Sequence, residues 1–119
     1  KEKMNYFTLD EFDSPDVPGS GDRMDMKFLE LLDYAREEAM IPFKINSGYR
    51  TPEHNAKVGG VQNSSHIKGC ASDISCTSSD KRLIIVKALI NVGFTRLGIS
   101  SSFIHVDNDP DKNDAIWLY

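Results

Sequence analysis

Two histidines and an aspartate are the residues of this chain whose types and spacing best fit a metal site. His66 stands seven residues before Asp73 in the stretch SSHIKGCASDI, and His105 follows later in SFIHVD. Imidazole nitrogens and carboxylate oxygens are common zinc ligands, and a catalytic zinc site keeps three protein ligands and one open position. The three residues therefore predict a zinc site. Spacing alone leaves an alternative open, in which His66 is a solvated loop residue and His105 a hydrogen-bonded core residue.

The two cysteines do not extend this set of ligands. Cys70 and Cys76 fall in the stretch CASDISC, whose small alternating residues predict a strand. Along one strand their α-carbons would be about 20 Å apart, beyond the roughly 4.4–6.8 Å that a disulfide bridges. We therefore expect two free thiols, in keeping with synthesis in a reducing compartment.

The candidate ligands need two strands and a loop to hold them. CASDISC predicts the strand of Asp73, and SFIHVD (102–107) predicts the strand of His105. The polar, glycine-containing stretch VGGVQNSS (58–65) predicts a loop that ends at His66. If the two strands are neighbours in one sheet, the three side chains share one face of it.

Three further strands and a short helix are predicted around these elements. FTRLGI (94–99) is joined to the next strand by SSS, which is typical of a hairpin, and AIWLY (115–119) predicts a last strand. FKINSGY (43–49) alternates apolar and polar residues, as half-buried strands do. A proline then opens a short helix over about residues 52–58.

Two amphipathic helices are predicted to cover the sheet. The first covers about residues 23–39, with Asp22 as N-cap, and the second about residues 79–92, with Ser78 or Ser79 as N-cap. Helical spacing predicts their buried faces: Met24, Phe28, Leu31, Ala35 and Ala39 in the first, and Leu83, Val86, Leu89 and Ile90 in the second. The expected fold is α+β, with a mainly antiparallel sheet packed against these two helices.

Length and charge limit what the chain can be. Its 119 residues predict a single domain, residues 1–119, in which residues 1–21 form an irregular N-terminal segment with several prolines and glycines. The net charge of −4, without a basic cluster, argues against a nucleic acid partner. No apolar run approaches the ~20 residues of a membrane span, and no secretory signal is recognisable. We expect a monomer that is made in the cytoplasm and has no nucleic acid or membrane partner.

Three motifs together resemble a known family. SGYRT (47–51), HNAKVGGVQNSSHIKGCASDI (54–74) and FIHVD (103–107) resemble the M15 family of zinc peptidases. This is the group of D,D-carboxypeptidases and peptidoglycan endopeptidases that shares its fold with the hedgehog signalling domain. The resemblance spans roughly residues 7–107 and is greatest to the short members found in bacteriophages and prophages. It implies a hedgehog-like arrangement of the sheet and helices.

The resemblance assigns roles to single residues. The family's zinc ligands fall on His66, Asp73 and His105, which are the residues that their chemistry already suggested. The family arginine, which meets a carboxylate or carbonyl oxygen of the substrate, falls on Arg50, and the serine that opens the metal motif falls on Ser64. Further residues are expected in the substrate cleft, with Ser64 and Gln62 as substrate-binding residues and with Tyr49 and Trp117 as cleft or core residues.

The general base is less clearly assigned. Many relatives carry an acid or a histidine two or three residues before the last ligand, but this chain has Phe103 and Ser102 there. Asp107 lies on the same strand face as His105, so it is expected either to act as the base or to orient the imidazole. His54 is expected to have a structural or rim role.

The implied function is hydrolysis of peptide bonds in peptidoglycan stem peptides or cross-links. Zn²⁺ would activate water and polarise the carbonyl, Arg50 would hold the substrate, and Asp107 would move the proton. The protein would act at the bacterial cell wall during phage lysis or as a part of the virion. Two alternatives are a zinc-containing wall-binding module without catalysis and a structural virion protein without metal.

Overall fold

The computed structural model of the chain describes residues 4–119. Among them are the α-helices α1 (Met26–Ala39), α2 (Pro52–Lys57) and α3 (Ser79–Asn91). The strands are β1 (Ile45–Ser47), β2 (Ala71–Ser75), β3 (Arg96–Ile99), β4 (Phe103–Asp107) and β5 (Ala115–Leu118). Within residues 4–119, no helix combines the length and the apolar composition that crossing a membrane requires. The fold is α+β, as predicted.

The five strands form one sheet in the order β1–β2–β4–β3–β5. Neighbouring strands are antiparallel, except that β5 runs parallel to β3. β3 and β4 form the predicted hairpin, in which the backbone N–H of Ser100 donates to the carbonyl of Phe103 over 3.0 Å. The mainly antiparallel sheet is thus confirmed, and it places the strand of Asp73 directly beside the strand of His105.

The two faces of the sheet differ because side chains alternate along each strand. One face belongs to the apolar core that the sheet shares with α1 and α3; its strand residues include Ile74, Leu97, Ile104 and Val106. The other face carries Asp73 and His105, which are each one residue away from a core residue along their strands. The alternation therefore separates the polar face of the sheet from the core.

α1 begins later than the sequence predicts. Residues Ser20–Arg23 form a 3₁₀ turn, and the N-cap of α1 is Asp25 rather than Asp22. The Asp25 carboxylate accepts a hydrogen bond from the backbone N–H of Phe28 over 3.0 Å, which satisfies one of the free donors at a helix start. Both aspartates fit an N-cap by residue type, and the preceding turn decides between them.

The buried face of α3 also differs from the prediction. Its buried residues are Ile85, Ala88 and Leu89, whereas Leu83 is 68 % and Ile90 47 % exposed. The segment LIIVKALI is apolar on most sides, so helical spacing fits several faces equally well. Contact with α1 selects the face, and on α1 the buried residues include Leu29 and Leu32 as well as the predicted Phe28 and Ala35.

The N-terminal segment is more ordered than predicted over the part that the structure describes, whereas residues 1–3 of the predicted segment lie outside the described residues. It contains 3₁₀ turns at Leu9–Phe12 and Ser20–Arg23 and buries Phe7 and Phe12. A Cβ on Gly48 would lie 2.7 Å from the Cα of Phe12, and the Tyr49 N–H donates to the Phe12 carbonyl over 2.8 Å. Glycine therefore allows the segment to pack against the chain beside β1.

Candidate metal site

The structure brings His66, Asp73 and His105 together. Asp73 on β2 and His105 on β4 are directly paired across the antiparallel ladder, and His66 reaches them from the turns that precede β2. The Oδ1 atom of Asp73 lies 3.0 Å from His105 Nδ1 and 3.4 Å from His66 Nε2. One candidate ligand atom from each residue lies within 4.8 Å of the other two. The three residues therefore form a candidate metal site.

The spacing of these atoms fits a tetrahedral ion. Ligand atoms bound at about 2.1 Å in tetrahedral geometry are separated by about 3.4 Å, close to the two distances from Asp73 Oδ1. Two nitrogens and one carboxylate oxygen are also a donor set that zinc accepts. The site opens into a cleft of about 500 Å³, so a fourth position can face water or a ligand. The spacing of the ligand atoms, their chemical types and the open cleft all fit a catalytic metal ion.

Main-chain contacts fix the ring of His66. Its Nδ1 lies 2.8 Å from the carbonyl oxygen of Gly48, which can only accept, so Nδ1 donates to Gly48 and Nε2 is the nitrogen that faces Asp73. The backbone of His66 is held as well, because its N–H donates to Ser64 Oγ over 3.1 Å and its carbonyl accepts from the Arg50 N–H over 3.2 Å. His66 is thus buried with a defined ring orientation.

The turn around His66 depends on Gly69. This glycine has a φ of +75°, a conformation that side chains rarely adopt, and a Cβ there would lie 2.5 Å from the carbonyl oxygen of Arg23. The Gly69 carbonyl in turn accepts from the N–H of Asp25, the N-cap of α1, over 2.8 Å. Glycine at position 69 therefore allows a turn that a side chain would forbid.

His105 lies between two carboxylates. Its Nδ1 faces Asp73 Oδ1 at 3.0 Å, and its Nε2 faces Asp107 Oδ2 at 2.7 Å. Burial opposes a charge on this ring, but the hydrogen bonds to Asp107 and Asp73 outweigh that effect and raise the pKa of His105. Because both partners only accept, each ring nitrogen needs a proton or a cation. A metal ion held by Nδ1 would meet that need on one side, and the Asp107 carboxylate would accept from Nε2–H on the other.

Asp73 is the carboxylate that contacts both histidines of the site. Burial alone would raise its pKa, but hydrogen bonds from His105 and His66 outweigh burial and hold the pKa of Asp73 below its ordinary range. Its second oxygen, Oδ2, lies 3.5 Å from Nη2 of Arg50. The group is therefore kept ionised, which is the state that a metal ligand requires.

Asp107 is the most enclosed acid of the site, with an exposed fraction of 1 %. Its Oδ1 accepts from Arg96 Nε over 2.7 Å and from the backbone N–H of Asp109 over 3.1 Å, whereas Oδ2 contacts His105 Nε2. Burial raises the pKa of Asp107, but the hydrogen bonds from His105 and Arg96 lower it by more. Both oxygens of Asp107 are therefore engaged.

Arg50 lines the cleft beside the ligands. Its Nε donates to Ser47 Oγ and its Nη1 to Asn55 Oδ1, each over 3.1 Å, which fixes the plane of the guanidinium. One hydrogen remains on each terminal nitrogen after the contacts to Asn55 and Asp73 are counted. The structure therefore places a held cation next to the candidate metal site, where the sequence predicts a substrate-binding arginine.

Aromatic side chains form part of the cleft. The Trp117 ring centroid lies 5.5 Å from that of His105, and the Phe103 and Tyr119 rings lie 5.0 Å apart. Trp117 also faces the guanidinium of Arg96 at 4.8 Å. Tyr119 is 67 % exposed, so its ring is accessible at the mouth of the cleft. Trp117 thus lines the cleft, one of the two positions that the sequence leaves open for it.

The remaining predicted residues are distributed differently. Ser64 lines the cleft, but its hydroxyl faces the N–H of His66. Gln62 is exposed, and among the described residues it is its neighbour Val61, not Gln62, that lines the cleft. Tyr49 is buried in the core, and His54 lies on α2 away from the cleft lining. Substrate contacts of Ser64 and Gln62 stay predictions.

Sequence reasoning missed several charged residues around the site. Arg96, Asp109 and Lys112 were not singled out, although Arg96 and Lys112 line the cleft and Asp109 is buried below it. Arg96 lies on the same sheet face as His105, and alternation from Leu97 could have placed it there. For Asp109 and Lys112, which lie in a loop, the sequence offers no comparable signal.

Comparison with known proteins adds one finding. A family model described as Peptidase M15 matches residues 5–107, most of the chain, and this range includes the three candidate ligands together with Arg50 and Asp107. No curated protein matches the chain.

Proposed function

The chain belongs to the peptidase M15 family, and from this premise we propose that it is a zinc-dependent peptidase that hydrolyses peptide bonds of bacterial peptidoglycan. The observation that carries the proposal is the convergence of His66, Asp73 and His105 beside an open cleft. Family membership supports the peptidase activity, and the two-nitrogen, one-oxygen donor set supports zinc as the metal. The motif resemblance supports peptidoglycan as the substrate.

The chain's own residues would hold the ion and orient its ligands. His66 Nε2, Asp73 Oδ1 and His105 Nδ1 would bind it. The ion, when bound, polarises the scissile carbonyl and lowers the pKa of water to about 7. The Gly48 carbonyl keeps the proton of His66 on Nδ1, and Asp107 keeps the proton of His105 on Nε2. Each histidine thereby presents the nitrogen that faces Asp73.

Arg50 is suited to the substrate. Its guanidinium is fixed by Ser47 and Asn55 and lines the cleft, so its remaining hydrogens have a defined direction. A planar cation of this kind binds a carboxylate through two hydrogen bonds or stabilises a developing oxyanion. Arg50 would therefore hold the peptide while the carbonyl reacts.

Of the two roles that the sequence leaves open for Asp107, its contacts support orientation of His105. A general base needs an oxygen that can reach water, whereas Oδ1 accepts from Arg96 and Asp109 and Oδ2 from His105. Carboxylates in this position fix the tautomer of a metal-bound histidine and are worth about 10- to 100-fold in metal affinity. We therefore assign Asp107 to positioning.

The expected setting is the bacterial cell wall, reached in phage lysis or as part of a virion. The cleft combines three cationic side chains, an aromatic side and the two valines Val58 and Val61, which are 52 % and 63 % exposed. Such a lining suits a short peptide that has a carboxylate and small apolar side chains. Peptidoglycan stem peptides and cross-links have this chemistry.

A second candidate function is a zinc-containing wall-binding module without catalysis. It is favoured by one observation: the positions where relatives carry an acid or histidine are Ser102 and Phe103, and both oxygens of Asp107 are engaged. Among the described residues that line the cleft, the only carboxylates are those of Asp73 and Asp107. Metal binding without hydrolysis would match this alternative.

The deciding experiment measures new amino groups released from purified peptidoglycan. The protein is assayed as prepared, after treatment with a chelator, and after zinc is returned. Release that the chelator abolishes and zinc restores supports the peptidase. Zinc binding without release supports the binding module, and release that the chelator leaves unchanged contradicts the proposal.

Two histidine variants provide the matched comparison. His66→Ala removes a proposed ligand and is expected to lower the rate by more than about 100-fold, since even outer partners of metal ligands are worth 10- to 100-fold. His54→Ala removes a histidine outside the cleft lining and should stay within about twofold, as surface changes usually do. Equal rates in both variants would exclude His66 from the site.

A further inference from the structure

A buried ionic cluster lies beneath the turns that carry His66. Its centre is Asp109, whose side chain is 0 % exposed and which takes no part in the proposed chemistry. Its Oδ2 accepts from Ser65 Oγ over 2.7 Å, and its Oδ1 accepts from Lys68 Nζ over 3.0 Å. Burial of a carboxylate is unfavourable unless it is paired and hydrogen-bonded, so these contacts are what keeps Asp109 in place.

Lys112 joins the cluster from the same loop as Asp109. Its Nζ donates to the carbonyl of Asn63 over 2.9 Å and to Ser65 Oγ over 3.1 Å, and it lies 3.7 Å from Asp109 Oδ2. The contacts of Asp109 and Lys112 thus reach residues 63, 65 and 68. These positions lie on both sides of His66, so the cluster contacts the chain before and after the candidate ligand.

The cluster also connects to the other histidine. The backbone N–H of Asp109 donates to Asp107 Oδ1 over 3.1 Å, and Asp107 contacts His105 Nε2 through Oδ2. The N–H of Asn108 donates to the Cys70 carbonyl over 3.2 Å, which holds the loop against the end of the His66 turns. Residues 107–112 therefore contact the supports of both histidines.

We propose that Asp109, with Lys68 and Lys112, forms a positioning cluster that sets the distance of His66 from Asp73 and His105. Asp73 and His105 are fixed by the strand ladder between β2 and β4, whereas His66 lies in turns outside the sheet. The turns need tertiary contacts to hold one conformation, and the cluster supplies them at residues 63, 65 and 68. The metal part of this inference rests on the proposed function.

Removing the charge of Asp109 would loosen this arrangement. In Asp109→Asn, Lys68 and Lys112 lose the buried negative charge between them. One of the two accepting oxygens of the side chain also becomes an NH₂ group, which can only donate. The positions of Ser65 and Lys68 then change, and His66 moves with them. We expect the zinc dissociation constant to rise by about 10- to 100-fold, the range for outer partners of metal ligands.

The first test measures zinc affinity by competition with a chromophoric chelator. Asp109→Asn is compared with Asp114→Asn, which removes the same charge from an exposed residue whose carboxylate contacts Thr95. The proposal expects a rise of at least tenfold in the dissociation constant for Asp109→Asn and less than twofold for Asp114→Asn. A folded Asp109→Asn variant that binds zinc within twofold of the unaltered chain overturns it.

The second test needs no metal and separates this inference from the proposed function. Imidazole signals of the zinc-free protein are recorded by ¹H–¹⁵N NMR, with His54 on α2 as the internal reference. The proposal expects the His66 signals to shift or broaden in Asp109→Asn, whereas the His54 signals stay in place. Unchanged His66 signals in Asp109→Asn overturn the proposal that the cluster positions His66. Failure of the unaltered chain to bind zinc overturns the proposed function instead.

A second variant covers the case in which Asp109→Asn does not fold. Lys112→Met keeps the aliphatic stem of a side chain that is 22 % exposed and removes the contacts to Asn63, Ser65 and Asp109. The same shift of the His66 signals and a rise in the zinc dissociation constant are expected. A folded Lys112→Met variant that changes neither quantity overturns the proposal.

Discussion

The contacts of Asp107 bear on which of two roles this residue has. By sequence, it shares a strand face with His105 and suits either proton transfer or orientation of the ring. In the structure, Arg96 neutralises one oxygen and His105 occupies the other. The carboxylate is thus tied into a chain of contacts from Arg96 to Asp73 rather than exposed to water.

Substitution of Asp107 by Asn separates the two roles. If Asp107 orients His105, the variant should lose about 10- to 100-fold in zinc affinity but keep its kcat within about tenfold at saturating zinc. If Asp107 were the base, kcat would fall by about 10²- to 10⁴-fold even at saturating zinc. The measurement is peptidoglycan hydrolysis across a zinc titration, with Asp114→Asn as the matched control.

Cys70 allows a prediction that concerns pH. Burial, helped by the nearby charges of Asp109 and Asp107, raises the pKa of the Cys70 thiol from 9.0 to about 11. Thiolate is the reactive form, so at pH 8 the folded protein should alkylate at Cys70 at least about 100-fold more slowly than an ordinary thiol. The rate should rise with pH up to about 11.

The alkylation rate is measured with iodoacetamide and peptide mass spectrometry, which reports Cys70 and Cys76 separately. Unfolding in denaturant removes the burial and should restore the rate of a free thiol. A Cys70 in the folded protein that reacts as fast as a model thiol at pH 8 would contradict the buried environment described for it.

Among the elements, the contact between β3 and its two neighbours depends on Gly98. This residue pairs with His105 on β4 and with Trp117 on β5. A Cβ at position 98 would lie 2.5 Å from Nε1 of Trp117 and 2.7 Å from Cε2 of Tyr119. The missing side chain therefore makes the space in which the aromatic side of the cleft lies.

Gly98→Ala should displace Trp117 from its place beside His105. Overpacking of this kind lowers the free energy of unfolding by about 1–3 kcal/mol. The chain has one tryptophan, so a shift of its fluorescence emission reports the displacement directly. Ser101→Ala, in the exposed turn of the same hairpin, should leave both quantities unchanged. An unshifted emission in Gly98→Ala would contradict the close contact.

The elements also show where local patterns suffice. Alternation in CASDISC and SFIHVD predicts the strands of Asp73 and His105, because a sheet with one apolar face requires it. The same reasoning fails for the buried face of α3, where apolar residues surround the helix and only contact with α1 selects Ile85, Ala88 and Leu89. Periodicity is informative only where polar residues mark the other side.

For the whole molecule, the strand order is the part that the sequence does not predict. The parallel pairing of β5 with β3 joins segments that are separated by β4 and a loop, and no short-range signal specifies it. The ionic contacts around the site are likewise long-range: Ser65 and Asp109 are 44 residues apart. Single charged residues carry no periodic pattern, so their partners become apparent only in the folded chain.

The candidate ligands were predictable for a different reason. Their residue types limit the chemistry, and the motif resemblance fixes which histidines and which aspartate to consider. The structure brings these three residues together, as the prediction required, and the family match covers all of them. The identities of the ion and of the substrate are part of the proposed function, and the peptidoglycan assay tests them.

The partner of His66 Nδ1 is a main-chain oxygen, and this affects how any mutational scan of the chain should be interpreted. Every amino acid presents the same carbonyl at position 48, so no replacement there deletes the hydrogen bond to His66. Such a scan will reveal the hydrogen bond that orients the His105 ring, because Asp107 supplies it from a side chain, but it will not reveal the bond that orients the His66 ring. What it will register at Gly48 is the collision with Phe12.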